Sequence, residues 1–245
     1  GLSRIADPLA RALIWGAVWD ATRDAETRPT DYIRLVLGNI AAETESTTLR
    51  TTLAQLALAA RSYVDPAVRR ETITSVGTAL WELAKAAEPG SDAQFQFVTA
   101  FAGLATTDAH RAVLAELLDG SLALDGLEID TDLRWVLLEG LVVLGAADEA
   151  RIAEELRRDA TAKGQQAAAR LRAAIPTAEA KAAAFRAIVG GQESNEIQRA
   201  ITLGYGHVND PAPLAGLVGP YHDALVRAWG DRSYQLAEIF IGGLY

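Results

Sequence analysis

Residues 7–24 read DPLARALIWGAVWDATRD, and their spacing decides the fold class. Asp7-Pro8 sets an acceptor side chain ahead of a proline whose missing N–H costs nothing in the first turn of a helix. Behind it, Leu9, Leu13, Gly16, Ala17 and Asp20 follow one helical face, with Trp15 and Trp19 paired at i, i+4 beside it. An aromatic stripe at helical spacing reads as core packing rather than a ligand box. The same punctuation returns at Asp65-Pro66, and Ser91 and Thr107 are placed to cap the helices that follow them. Ile33, Val36, Leu37 and Ile40 mark a second helix. Leu49, Leu53, Leu56 and Ala60 mark a third. Val76, Leu80, Leu83 and Ala87 mark a fourth, which stops at Pro89-Gly90.

Further on, residues 120–128 form a loop carrying Leu122, Leu124 and Leu127. Thr131 opens the most apolar helix, 133–144, which is hydrophobic on nearly every side and expected to be covered all round. Residues 148–159 are the opposite case, a charged helix with Glu154 and Arg158 at i, i+4. Ala-rich helices follow at 163–175 and 178–189, and glycines and prolines punctuate shorter helices to the end. No stretch of five or more residues alternates like a strand. The composition agrees, since 48 Ala and 31 Leu make up nearly a third of 245 residues. The fold class is therefore all-α, about a dozen helices with short connections. No repeat of fixed length aligns, so the expected arrangement is an α-solenoid of irregular HEAT-like or armadillo-like antiparallel helix pairs. No linker divides the chain, and 1–245 is read as one domain.

Composition also excludes functions. Half the residues are hydrophobic, too many for disorder, yet no apolar run is long enough to span a membrane. Zero cysteines rule out a disulfide framework, a zinc finger and a cysteine nucleophile. A net charge of −9 disfavours nucleic acid and anionic membrane surfaces as partners. No basic-then-apolar leader opens the chain, so a cytoplasmic location is expected. The chain also lacks Met, so Gly1 reads as a processed end or the edge of a longer polypeptide.

The residues that could carry chemistry read as structural. His110 lies in a first helical turn, where a solvated polar residue is ordinary. His207 lies in a loop, 204–210, that could face a ligand, and His222 sits beside Tyr221 and Asp223. None has metal-ligand spacing. The pairs Glu43/Glu45 and Glu154/Glu155 fall on expected solvent faces. Gly190-Gly191 and Gly242-Gly243 read as helix C-caps, since no Lys-Ser or Lys-Thr follows to make a phosphate cradle. Arg134, behind Asp132, reads as the partner of a neighbouring carboxylate. No catalytic, cofactor-binding or metal-ligating residue is assigned.

Three blocks nevertheless carry a resemblance. ALIWGAVWDATRD at 12–24 with DYIRLV at 31–36 is similar to the opening helices of the C-terminal domain of bacterial aminopeptidase N proteins, an endoplasmic-reticulum-aminopeptidase-like domain. DTDLRW at 130–135, running into a Leu-rich helix that ends at Leu144-Gly145, resembles its central helix. Residues 159–164 and TAEAK at 177–181 resemble the helix pair that follows. The likeness spans nearly the whole chain in order, although the blocks are packing and capping residues.

The resemblance implies a zinc metallopeptidase that removes N-terminal residues from peptides. Its preceding catalytic domain would carry a His-Glu-x-x-His helix, a further Glu ligand and a Gly-x-Met-Glu-Asn segment. None of these occurs here, so no catalytic or metal residue carries over and zinc would belong to the parent's catalytic domain. The implied role is to enclose the active-site chamber and gate peptide access. The implied partners are the catalytic domain of the same polypeptide and peptide substrates. The family domain would continue past Tyr245. The rival reading is a free-standing HEAT-like scaffold that binds another protein, and a more remote one is an enzyme with a site around His207.

Overall fold

The computed structural model describes residues 2–231 and 233–244, and the expectations attached to Gly1 and Tyr245 lie outside them. Thirteen α-helices follow one another and no strand occurs among the described residues. Asp7, Asp65, Ser91 and Thr107 each accept a backbone N–H at the head of their helix, as the sequence predicts. Asp148, Thr161, Thr177 and Ser194 do the same further along. Each such cap is worth about 1 kcal/mol.

The chain forms two compact units, Gly1–Val136 and Leu137–Tyr245. The first holds α1 (Pro8–Arg23), α2 (Pro29–Asn39), α3 (Ser46–Leu58), α4 (Pro66–Ala86), α5 (Asp92–Gly103) and α6 (Asp108–Asp119). α5 is its hub, lying against both α3 and α4. Tyr32, Leu56, Leu80, Phe97, Phe101 and Leu114 have almost no exposed surface. Each such aliphatic or Phe side chain contributes about 1.5–3 kcal/mol relative to an exposed one.

The first helix turns differently from its apolar pattern. Its buried face is Arg11, Trp15, Trp19 and Thr22, so the tryptophans are core as expected. The face marked by Leu9, Leu13, Gly16, Ala17 and Asp20 points outward, with the two leucines 68% and 67% exposed. The tryptophans decide the rotation, because their area outweighs that of the leucines.

The division between the units falls inside α7 (Thr131–Val143). Leu133, Leu137, Leu138 and Val142 of this helix are fully buried, in line with its unbroken hydrophobicity. The second unit continues with α8 (Glu149–Arg158), α9 (Ala162–Ala174), α10 (Ala178–Gly190), α11 (Asn195–Gly206), α12 (Val218–Asp231) and α13 (Tyr234–Leu244). α11 lies between α9 and α13. Phe185, Ile188, Ile201, Tyr205 and Phe240 fill its core, and Tyr221 stacks on Phe240 at 5.7 Å between ring centroids. Gly191 caps α10 as expected. Gly242-Gly243 does not cap a helix; both lie inside α13. A Cβ at Gly243 would stand 2.6 Å from Thr202 of α11, so this glycine is set by helix contact.

Candidate functional site

A buried polar cluster of the second unit forms where α9 crosses α11. The crossing turns on Gly204, where a Cβ would run into the backbone carbonyl oxygen of Arg170. Only glycine permits that approach. It brings the carbonyl-rich last turns of both helices to one place. Such turns leave acceptors unsatisfied and carry partial negative charge. Lys181, in the first turn of α10, supplies the missing donors. Its Nζ donates to the carbonyls of Ala173 at 2.7 Å, Gly204 at 3.0 Å and Tyr205 at 2.9 Å. It also stands 5.8 Å from the Tyr205 ring centroid, within cation–π range. The residue has no exposed surface. Burial pushes its ammonium down to about 8 from an ordinary 10.5, with the charge of Glu139 opposing the shift.

Glu139 of α7 is 6% exposed and ties the same crossing to α7. Arg170 Nε donates to Oε1 at 2.9 Å and to Oε2 at 2.8 Å. His207, the residue that caps α11, holds its Nδ1 2.6 Å from Oε1. Burial pushes the Glu139 carboxyl up, but His207 and Arg170 together hold it below its ordinary range. The carboxylate is therefore ionised at neutral pH and accepts the Nδ1–H of His207. Its partners hold a charge in place, and an ionised carboxylate with both oxygens engaged has no proton to give. His207 therefore serves as the cap of α11 and as a hydrogen-bond partner of Glu139.

Two expectations on buried polar groups need correction. His110 is buried, not solvated. Its Nδ1 accepts from the backbone N–H of Thr106 at 3.3 Å, and Nε2 lies 2.9 Å from Thr78 Oγ1. Its ring meets Phe101 edge-on at 5.2 Å, and burial lowers its pKa, as befits a neutral core imidazole. α6 faces α4 and α5 on this side, which its first-turn position does not reveal. Glu43 is likewise buried, 4% exposed. It accepts from Arg11 at 3.0 and 3.2 Å, from Trp15 Nε1 at 3.0 Å and from the N–H groups of Thr44 and Glu45. Burial pushes its carboxyl up, and these five donors outweigh it and lower the pKa. Glu155 is also buried, while Glu45 and His222 are exposed. Arg134 donates to the carbonyl of Leu118 at 3.2 Å in the last turn of α6.

Sequence reasoning passed over Glu139, Lys181 and Arg11. One signal was present for Glu139. It is the only acidic residue inside the helix expected to be covered on all sides, and a buried charge requires partners. A shallow groove of about 510 Å³ also opens in this unit, floored by Ala169, Ala173, Ala184 and Ile201. Arg172 and Glu149 pair across its rim at 2.7 Å. Among the described residues no three His, Cys, Asp or Glu converge to hold a metal ion. No helix among them is long and apolar enough to cross a membrane.

The ERAP1-like C-terminal domain family matches residues 1–245. Aminopeptidase N of Streptomyces lividans is 37% identical over 245 residues, all of this chain and 29% of that protein.

Proposed function

The chain belongs to the ERAP1-like C-terminal domain family, and from that premise we propose that it is the C-terminal helical part of a zinc-dependent aminopeptidase that removes N-terminal residues from peptides. The observation that carries this reading is the 37% identity to an aminopeptidase N across every residue of the chain. Residues 1–245 work as one segment of that larger polypeptide. They help enclose the chamber in which the peptide is held and limit which peptides enter it. The buried charges fit a supporting role: Glu43, Glu139 and Lys181 are each spent on holding helices.

The residues present do not fit a catalytic zinc. Among those described, no donor set of three converges, and His207 and Glu139 are engaged with each other. In this reading the metal and the groups that activate water are supplied by the rest of the polypeptide, and the whole enzyme is cytoplasmic. The partners of this chain are that catalytic part and the peptide substrate.

The test is to read the frame upstream of the Gly1 codon and express the whole polypeptide. A His-Glu-x-x-His helix, stoichiometric zinc and release of amino acids from peptides are expected. Deleting residues 1–245 should change the dependence of kcat/KM on peptide length far more than on a single-residue amide. A polypeptide without peptidase activity, or tight zinc binding by this chain alone, would overturn the reading.

A further inference from the structure

α1 has two apolar faces, and only one of them is used within its own unit. Arg11, Trp15, Trp19 and Thr22 are buried. Arg11 and Trp15 are tied to Glu43, and Trp19 lies 5.5 Å from Tyr32 between ring centroids. These contacts fix the rotation of the helix. The opposite side must then present Leu9 and Leu13, followed one turn later by Gly16 and Ala17. Arg11 is the only charge from residue 8 to residue 19, and it is turned inward and paired with Glu43. The outward stripe is therefore uncharged until Asp20, which pairs with Arg23 at 3.2 Å. A Cβ at Gly16 would meet nothing within 4 Å, which leaves room for another surface to approach closely. A helix apolar on both faces is normally covered on both.

We infer that this stripe is the docking surface for the part of the polypeptide that precedes residue 1. The inference rests on the reading that the chain is the C-terminal part of a longer enzyme. In such a polypeptide the remainder joins this chain at the end where α1 lies, and more than two thirds of the aminopeptidase N relative falls outside the matched stretch. Size selects the occupant. A free partner or second copy needs on the order of 800 Å² on each side, far more than two leucines and a small-residue turn provide. A surface tethered a few residues away needs much less, because its effective concentration is already high.

The experiment places a photoreactive phenylalanine analogue at position 13 of the whole polypeptide and maps the crosslinks by mass spectrometry. Crosslinks to residues preceding Gly1 are expected. Crosslinks confined to this chain, a crosslinked dimer, or a label that reacts only with solvent would each overturn the inference. In a second variant, Leu9→Asp with Leu13→Asp, proteolytic cleavage near residue 1 should be roughly tenfold faster, since the junction opens when charge is forced into the contact. An unchanged rate would also overturn it. Peptidase activity is measured on the same preparations. An active polypeptide without the crosslink refutes the docking surface alone. The crosslink in an inactive polypeptide refutes the enzyme reading and leaves the surface standing.

Discussion

A lysine with no exposed surface needs an acceptor for each of its three protons, and Lys181 has three carbonyls. Replacing it by Met keeps the stem but strands those acceptors at two helix ends, so Lys181→Met should cost about 3–5 kcal/mol. The pH dependence has a definite sign. The folded lysine titrates at about 8 and the unfolded one near 10.5, so between these values the unfolded chain binds more protons. The contribution of Lys181 to stability therefore rises with pH across that window and is flat below it. Denaturant unfolding at several pH values should show this slope in the difference between wild type and Lys181→Met; parallel curves would rule it out. Glu139 gives a slope of the same sign in the acid range. Its folded pKa is depressed, so its contribution is present above the ordinary carboxylate range and lost as pH falls through the folded value. Glu139→Gln should cost about 2–4 kcal/mol at pH 7 and progressively less in acid, read from the same measurement. Glu139 stands out along the chain only as a lone charge in an apolar helix, and its partner His207 lies 68 positions away.

At the scale of the element, helix starts were legible and helix contacts were not. A cap such as Thr107 acts on an N–H three residues away, so the signal and its effect share one short window. Gly204 shows the contrary case. Its neighbours read as a loop, yet α11 continues through it to Gly206, and the glycine is required by α9. Gly204→Ala should cost about 3 kcal/mol, because the added carbon meets backbone that cannot turn aside. Gly38 in α2 has open space around it and is exposed. Gly38→Ala should leave packing untouched and stabilise the fold by about 0.5–1 kcal/mol through backbone entropy. Thermal unfolding of the two variants should move Tm in opposite directions, and a shift of the same sign would refute the contrast.

At the scale of the whole chain, each unit has buried aromatic residues of its own, Tyr32, Phe97 and Phe101 in the first and Phe185, Tyr205 and Phe240 in the second. Both consist of hydrophobic packing and internal ion pairs, with no metal-binding group of three among the described residues. Dialysis against a chelator should therefore leave the Tm of this chain unchanged while abolishing amino-acid release by the longer polypeptide. A fall in Tm on chelation would point to a structural metal.

Local sequence is enough for the all-helical class and the helix heads. Those depend on composition and on spacings of three and four residues, which a linear chain displays openly. It also carried the family likeness, in packing residues distributed over its length. Tertiary structure alone decided which face of α1 is buried, that Glu43 and His110 are core groups, and that Lys181 joins two helix ends. Each of these depends on partners brought from distant positions, and burial is a property of the surrounding elements rather than of the residue.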